Sequence, residues 1–329
     1  MSALAPTLQA FFTERLVHQR QASPHTIAAY RDTFRLLLGF AEQKTGRAPS
    51  NLRLEDLDAP LIGDFLDHLE VDRHNSVRTR NVRLAAVHAL FHFAALRHPE
   101  HSELIQRVLA IPQKRGEREL LTFLDYDEIN ALLAAPDRTR WVGRRDHALL
   151  LTAVQTGLRV SEITSLTCQD IELGTGAHVR CRGKGRKERI TPLTAQTVTI
   201  LRAWLAESRC GPTDPLFPGP RGLPLSRDAV AFLVSKHAAV ASERCPSLKS
   251  KKVSPHVLRH TCAMQLLQAG VDTSVIALWL GHESAETTQI YLHADLAIKE
   301  HALARTAPPN IATGRYRASD ALLTFLESL

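Results

Sequence analysis

Apolar residues in the first third of the chain recur with the spacing of α-helices. Serine at a helix start, proline in its first turn and glycine just past its end mark the boundaries. Helices are expected at residues 6–20, from Ser23-Pro24 to Gly46, from Pro60, and from Ser76 to a stop before Pro99. Residues 1–111 therefore predict an N-terminal four-helix domain.

The rest of the chain predicts a second, larger domain after a polar linker at 112–121. Helices are expected after Asp125 and at 144–157, 194–208, 226–241, 255–269 and 272–280, with a β-hairpin within 178–194. The predicted fold class is mainly α (α+β), with a mostly helical domain at 122–306 that contains a small β-sheet. Residues 307–329 predict a tail that ends in a short amphipathic helix.

Composition excludes several classes of protein. No apolar run approaches the length of a membrane span, and the N-terminus lacks the pattern of a secretory signal. The five cysteines are scattered without a C-x-x-C pair, which argues against a disulfide framework or a zinc site and favours the cytoplasm. The net charge of +7 is compatible with a polyanionic partner.

Five short segments contain residue types that can act on a phosphate. They centre on Arg159 in a T-G-L-R-V-S-E turn, Lys184 in G-K-G, His256 and Arg259 in H-V-L-R, His282 after Gly281, and Tyr291. Each segment alone also has an ordinary structural explanation, such as a surface arginine paired with Glu162 or a half-buried packing tyrosine. Only the presence of all five segments together favours a role at a phosphate over these structural explanations.

The segment that begins at Ser254-Pro255 predicts an anion site. Serine followed by proline is a strong helix start, and His256 and Arg259 share one face of the first turn. Unpaired backbone N–H groups and the positive end of the helix dipole lie in the same turn. Basic side chains there are favourable only beside an anion.

The predicted hairpin is strongly basic, with glycines on both sides of Lys184. Such a tip can enter a DNA groove or reach a phosphate, whereas its glycine spacing does not match a P-loop. The candidate DNA contacts are Arg182, Arg186, Lys187 and Arg189 here, and Arg78, Arg80 and Arg83 on the last predicted helix of the first domain. Ordinary surface exposure is the alternative for the second group.

Together, the five segments resemble the phage-integrase, or tyrosine recombinase, family, and most closely its Xer-like bacterial members. The family pattern is T-G-x-R-x-S-E, a hairpin G-K-G, H-x-x-R, G-H after a helix, and a tyrosine about nine residues later. The sequence has all six residues of this pattern in order: Arg159, Lys184, His256, Arg259, His282 and Tyr291. The detailed resemblance covers residues 122–295. Residues 1–110 match the family's core-binding domain only in size and pattern.

The resemblance implies a chemical role for each residue. Tyr291 would be the nucleophile and form a 3′-phosphotyrosine, Lys184 would protonate the departing 5′ oxygen, and His256 would assist proton transfer to or from Tyr291. Arg159 and Arg259 would clamp the phosphate and His282 would add a hydrogen bond to it, while Glu162 would orient a neighbouring cation. No metal ion, ATP or other cofactor is implied.

The resemblance also implies the partners. These are double-stranded DNA, three further copies in a homotetrameric synaptic complex, and a related recombinase as a possible companion. Such recombinases pass a C-terminal segment between protomers in a ring. Residues 319–329 are therefore expected to dock on a neighbour, with docking on their own domain as the alternative.

Two other functions fit part of the pattern. A DNA-binding regulator on the same fold would bind without cutting, but it would have no need for Tyr291. A type IB topoisomerase shares the chemistry, although the separate helical N-terminal domain and the C-terminal tail resemble recombinases more. A substrate nicked beside the scissile phosphate separates the three, because only cleaving enzymes form a covalent adduct and recombination joins a second duplex.

Overall fold

The computed structural model describes residues 3–116, 121–183, 188–281 and residue 291. The chain divides into two compact units, Met1–Glu119 and Leu120–Leu329. The side chain of Arg182 also lies outside the described part. The predicted tail at 307–329 falls outside it as well, so the expectation for residues 319–329 stays a prediction. In the described residues, no helix is long and apolar enough to cross a membrane.

The N-terminal unit contains the four predicted helices. They are α1 (Leu4–Ala10), which continues as a π-helix over Phe11–Gln19, α2 (Pro24–Thr45), α3 (Ala59–Val71) and α4 (Val77–Ala95). The hydroxyls of Ser23 and Ser76 cap α2 and α4, and Gly46 ends α2 with φ +71°. A fifth helix, α5 (Ser102–Leu109), packs against α4 and was not predicted, because its eight residues bury only Ile105 and Val108.

The predicted linker begins on the surface of this unit. Arg80 Nη1 donates to the Pro112 carbonyl at 2.9 Å, and Asn81 Nδ2 donates to the Lys114 carbonyl at 2.8 Å. Asn81 Oδ1 accepts from the Lys114 amide in return, at 3.1 Å. The first residues of the 112–121 segment are therefore held against α4.

The second unit is mostly helical and contains a three-stranded sheet. Its elements are α6 (Tyr126–Ala134), α7 (Trp141–Thr156), α8 (Val160–Ser165), β1 (Ile171–Glu172), β2 (His178–Arg182), β3 (Glu188–Pro192), α9 (Ala195–Ser208), α10 (Arg227–Arg244), α11 (Pro255–Gln268) and α12 (Thr273–Leu280). The strands are antiparallel in the order β1-β2-β3. In the backbone register, Arg182 at the end of β2 lies opposite Glu188 at the start of β3. This confirms the predicted mainly helical fold with a small β-sheet.

Two apolar clusters stabilise this unit. The larger is built on α7, α9 and α10, with Leu149, Leu201 and Val234 fully buried. The smaller lies where α11 meets α12 and includes Tyr291 together with Met264. The apolar periodicity that predicts the helices thus also supplies the surface that holds the predicted nucleophile.

One expectation from the cysteines was wrong. The structure joins Cys168 and Cys210 in a disulfide, with their Cα atoms 6.7 Å apart and a sequence separation of 42. A bridge between Thr167 and Pro215 aligns the two segments, and the Cys168 amide donates to the Asp214 carbonyl at 3.0 Å. The absence of a C-x-x-C pair could not reveal this pairing, because the tertiary fold creates it.

A buried charged cluster connects α7 to α10. Asp146 accepts hydrogen bonds from Arg145 Nη2 at 2.7 Å and, on its other oxygen, from His237 Nε2 at 2.8 Å, and all three side chains are buried. Arg145 also donates to the Pro218 carbonyl at 2.9 Å. Burial opposes ionisation of Asp146, but His237 and Arg145 keep the pKa of its carboxyl below the usual value.

Replacement Asp146→Asn should lower the free energy of unfolding by roughly 3 kcal/mol at pH 7, because it leaves Arg145 buried without its counter-charge. The lowered pKa means that this stability is fully present above the unfolded pKa of about 3.9 and is lost as pH falls through the folded value. Urea unfolding at pH 7 and pH 3.5 measures both effects. Asp228→Asn, an exposed change in the first turn of α10, is the control and should cost only a few tenths of a kcal/mol. Equal losses in the two variants would contradict this account.

Candidate active site

Gly157 determines how Arg159 is presented. It ends α7 with φ +62°, and a Cβ atom there would lie 2.6 Å from Leu280 Cδ2, so only glycine fits this turn. Arg159 then begins α8, where its backbone amide and its Nη1 both donate to Glu162, at 2.7 and 3.1 Å. Its Nη2 donates to the Gly281 carbonyl at 3.0 Å. The predicted turn is present, and it holds the guanidinium at the end of α12.

Arg259 lies deeper, in the first turns of α11. Its Nη1 donates to the Gly157 carbonyl at 2.7 Å and its Nη2 to the Leu280 carbonyl at 2.8 Å, and only 4% of the residue is exposed. Both carbonyls belong to helix C-termini, where the helix dipole is negative. Burial and the neighbouring charge of Arg159 lower the pKa of Arg259 to about 10, so it stays cationic at neutral pH.

Glu162 is the buried counter-charge of the site. Arg189 donates to it bidentately, at 2.7 and 2.8 Å, in addition to the two hydrogen bonds from Arg159. Burial opposes ionisation of Glu162, yet the hydrogen bonds and charge of Arg189, followed by those of Arg159, keep the pKa of its carboxyl below the usual value. The acid is therefore ionised at neutral pH and holds two arginines in place.

Arg189 was predicted as a DNA contact, but in the structure its side chain lies inside the site. Its side chain is 12% exposed, and its guanidinium points to Glu162. A Cβ atom on Gly281 would come within 2.9 Å of Arg189 Nη1, so Arg189 also packs against the residue that precedes His282. The basic composition of the hairpin could not distinguish this inward side chain from its neighbours.

Tyr291 is 2% exposed and contacts His260. The Nδ1 atom of His260 lies 3.1 Å from the phenolic oxygen of Tyr291, and the two rings meet edge to face. The His260 ring also meets the His256 ring, with centroids 4.1 Å apart. Burial raises the pKa of Tyr291 to about 12, while the positive charge of Arg259 acts in the opposite direction.

His260 is a functional candidate that the sequence analysis did not single out. The motif drew attention to His256 and Arg259, and His260 is the next residue in the chain. The signal that could have found it is its spacing, because residues four apart lie on the same face of a helix. His256 is present on that face and contacts His260, which in turn contacts Tyr291.

The remaining predictions fall into two groups. Lys184, Arg186, Lys187 and His282 lie outside the described residues, as does the side chain of Arg182. In the N-terminal unit, Arg78 is exposed and Arg83 donates to Thr33 Oγ1 at 3.0 Å. Arg80, also predicted as a DNA contact, is only 5% exposed and donates to the Pro112 carbonyl.

Comparisons with known proteins show the family to which this chain is similar. Residues 122–297 match the phage integrase family, and residues 10–98 match the N-terminal SAM-like domain of phage integrases. The chain is 58% identical to a putative integrase/recombinase, y4rC, of Sinorhizobium fredii, covering 100% of this chain and 99% of that protein. It is 36% identical to the tyrosine recombinase XerC of Pelobacter propionicus, covering 94% and 99% respectively.

A solved structure supports the same placement. The XerH site-specific recombinase bound to a palindromic difH substrate, in a post-cleavage complex, matches with a TM-score of 0.69 and 26% identity, over 87% of this chain and 81% of that one. The fold therefore agrees with the sequence comparisons. The chain belongs to the phage integrase family of tyrosine recombinases, enzymes that cleave and rejoin DNA.

Proposed function

We propose that this enzyme is a site-specific recombinase or integrase that cuts double-stranded DNA through a 3′-phosphotyrosine at Tyr291, without metal or ATP. The observation that carries the proposal is the convergence of Arg159 and Arg259 on the adjacent carbonyls of Leu280 and Gly281, beside Tyr291. Two guanidinium groups so placed can bind two non-bridging phosphate oxygens. Their charge stabilises the additional negative charge of the transition state.

Cleavage also requires proton transfers at two oxygens. Lys184 is proposed to protonate the departing 5′ oxygen, and His282 to donate a hydrogen bond to the phosphate. The resemblance gives His256 a part in proton transfer at Tyr291, and its exposed position at the start of α11 leaves it accessible to DNA. The covalent link retains the energy of the phosphodiester bond, so the 5′ hydroxyl can attack it to rejoin the strand.

The assembly and location follow from the same proposal. Four copies, or copies of this chain with a related recombinase, would bring two duplexes together, in the cytoplasm at the nucleoid. Arg78, Arg83, Arg182, Arg186 and Lys187 are the proposed DNA contacts. Arg189 and Glu162 are instead proposed to position Arg159.

Replacement Tyr291→Phe should abolish the covalent protein–DNA adduct and leave DNA affinity within about threefold, because only the attacking oxygen is lost. The measurement is a denaturing gel of the protein with a duplex nicked beside the scissile phosphate, run with and without EDTA. The wild-type adduct should form equally in both conditions. An adduct with the phenylalanine variant would show that the nucleophile is another residue, and abolition by EDTA would contradict the metal-free mechanism.

Replacement Arg189→Met should slow cleavage about 100-fold with little change in DNA affinity, because small displacements of a catalytic group have effects of that size. The charge of Glu162 would then be unbalanced and would draw Arg159 out of place. The double variant Arg189→Met with Glu162→Gln should recover part of the rate, since it removes the unpaired acid. Single-turnover cleavage and a salt titration of binding measure both effects.

The sequence-based alternative for Arg189 gives the opposite result. If Arg189 contacts a phosphate, the methionine variant should bind more weakly to every DNA sequence, and the slope of log affinity against log salt should fall by about one. In that case the addition of Glu162→Gln would not restore the rate. This pattern would contradict the positioning role.

A further inference from the structure

Two hydrogen-bonded connections join the end of α7 to the end of α12. Trp279 Nε1 donates to the Thr156 carbonyl at 3.2 Å. Arg259, from α11, donates to the next carbonyl of α7, that of Gly157, and to the Leu280 carbonyl of α12. The indole connection and the guanidinium connection therefore use neighbouring residues on both helices.

A third donor acts at the same end of α7. Cys262 Sγ donates to the Gln155 carbonyl at 3.4 Å, and burial raises the pKa of this thiol to about 12, so it keeps its proton at neutral pH. Three consecutive carbonyls of α7 thus accept from side chains of α11 and α12, as the last carbonyls of a helix have no partner within it. Because a thiol is a weak donor, the indole N–H of Trp279 is the stronger of the two neutral donors.

The neutrality of the indole suits its place beside two cations. Burial, and then the charge of Arg159, lower the pKa of Arg259 to about 10, so a third positive charge here would add to an existing repulsion. In the proposed function Arg259 must bind a phosphate as well as bridge the two helices. Trp279 supplies a connection that adds no charge and does not depend on that guanidinium.

The end of α7 determines where Arg159 lies. Gly157 directly follows α7, and Arg159 comes two residues later. The Nη2 atom of Arg159 donates to the Gly281 carbonyl, at the end of α12, at 3.0 Å. A displacement of one helix end from the other would therefore change the spacing of the two guanidinium groups. A misplacement of about 1 Å in an active site can cost roughly 100-fold in rate.

We propose that Trp279 is a positioning residue for cleavage, which holds the ends of α7 and α12 together so that Arg159 and Arg259 keep the spacing that a phosphate requires. The inference rests on the proposed function, in which the two arginines bind the scissile phosphate. Trp279 acts through them and takes no part in bond making or in proton transfer.

The test removes the indole N–H and keeps the shape of the side chain. Benzothienylalanine, placed at position 279 by stop-codon suppression, has the same bicyclic ring with sulfur in place of the N–H group, and Trp279→Phe is the second variant. Both should cleave a nicked duplex about 100-fold more slowly than wild type in single-turnover reactions. Their Kd for the intact duplex should stay within about threefold, because phosphate contacts over the whole interface supply most of the affinity.

The matched control is the same pair of replacements at Trp204. Its Nε1 also donates to a backbone carbonyl, that of Leu216, at 2.8 Å. Its ring contacts Trp141 at the start of α7, at the opposite end from Arg159. These variants should lower the urea concentration at the midpoint of unfolding but leave the cleavage rate within about threefold of wild type.

The alternatives give different results. A benzothienylalanine variant that cleaves at the wild-type rate would assign Trp279 to ring packing and overturn the inference. Equal slowing by the Trp204 variants would trace the effect to lost stability, and a loss of affinity as large as the loss of rate would trace it to DNA binding; either result also overturns it.

The wild-type reaction tests the proposed function separately. A wild-type protein that forms no covalent adduct with the nicked duplex would overturn the proposed function and this inference together. Adducts from wild type and from Trp204→Phe uphold the proposed function, whatever the rates of the Trp279 variants.

Discussion

The burial of Arg259 is the constraint on which the site depends. A guanidinium that is 4% exposed must have hydrogen-bond acceptors, and the fold supplies the carbonyls of Gly157 and Leu280. These carbonyls are available because α7 and α12 both end at a left-handed glycine, which leaves the last C=O groups of each helix unpaired within the helix. Arg259 therefore joins the C-terminal ends of α7 and α12. The turn that carries Arg159 directly follows the end of α7.

The charges around this arginine suit the phosphate that the proposed function places there. Glu162 accepts from Arg159 and Arg189, but the described residues place no carboxylate against Arg259, whose partners are neutral carbonyls. In the proposed function, a phosphate that enters the site therefore meets a cation whose described hydrogen bonds go to carbonyl dipoles. Such preorganised charge requires no rearrangement at the moment of reaction, which is where enzymes of this kind gain most of their rate.

The sequence predicted the parts of the site that depend on local structure. Ser254-Pro255, Gly157 and Gly281 have backbone roles that are readable from residue type. They fix the helix starts and ends beside which Arg259 and Arg159 lie. The direction of a long side chain was not readable, because Arg80 and Arg189 occur in basic segments typical of a DNA surface and yet turn inward to partners that are distant in sequence. The contact of His260 with Tyr291 and the Cys168–Cys210 disulfide were missed for the same reason, since both join residues that are distant in sequence.

The account requires that the buried Tyr291 oxygen reach a DNA phosphate and become joined to it. The most direct measurement is mass spectrometry of the covalent complex formed with a nicked duplex, after digestion by protease and nuclease. The account predicts one modified peptide, with a nucleotide attached through its 3′ phosphate to Tyr291. A nucleotide on any other residue, or attachment through a 5′ phosphate, would contradict it.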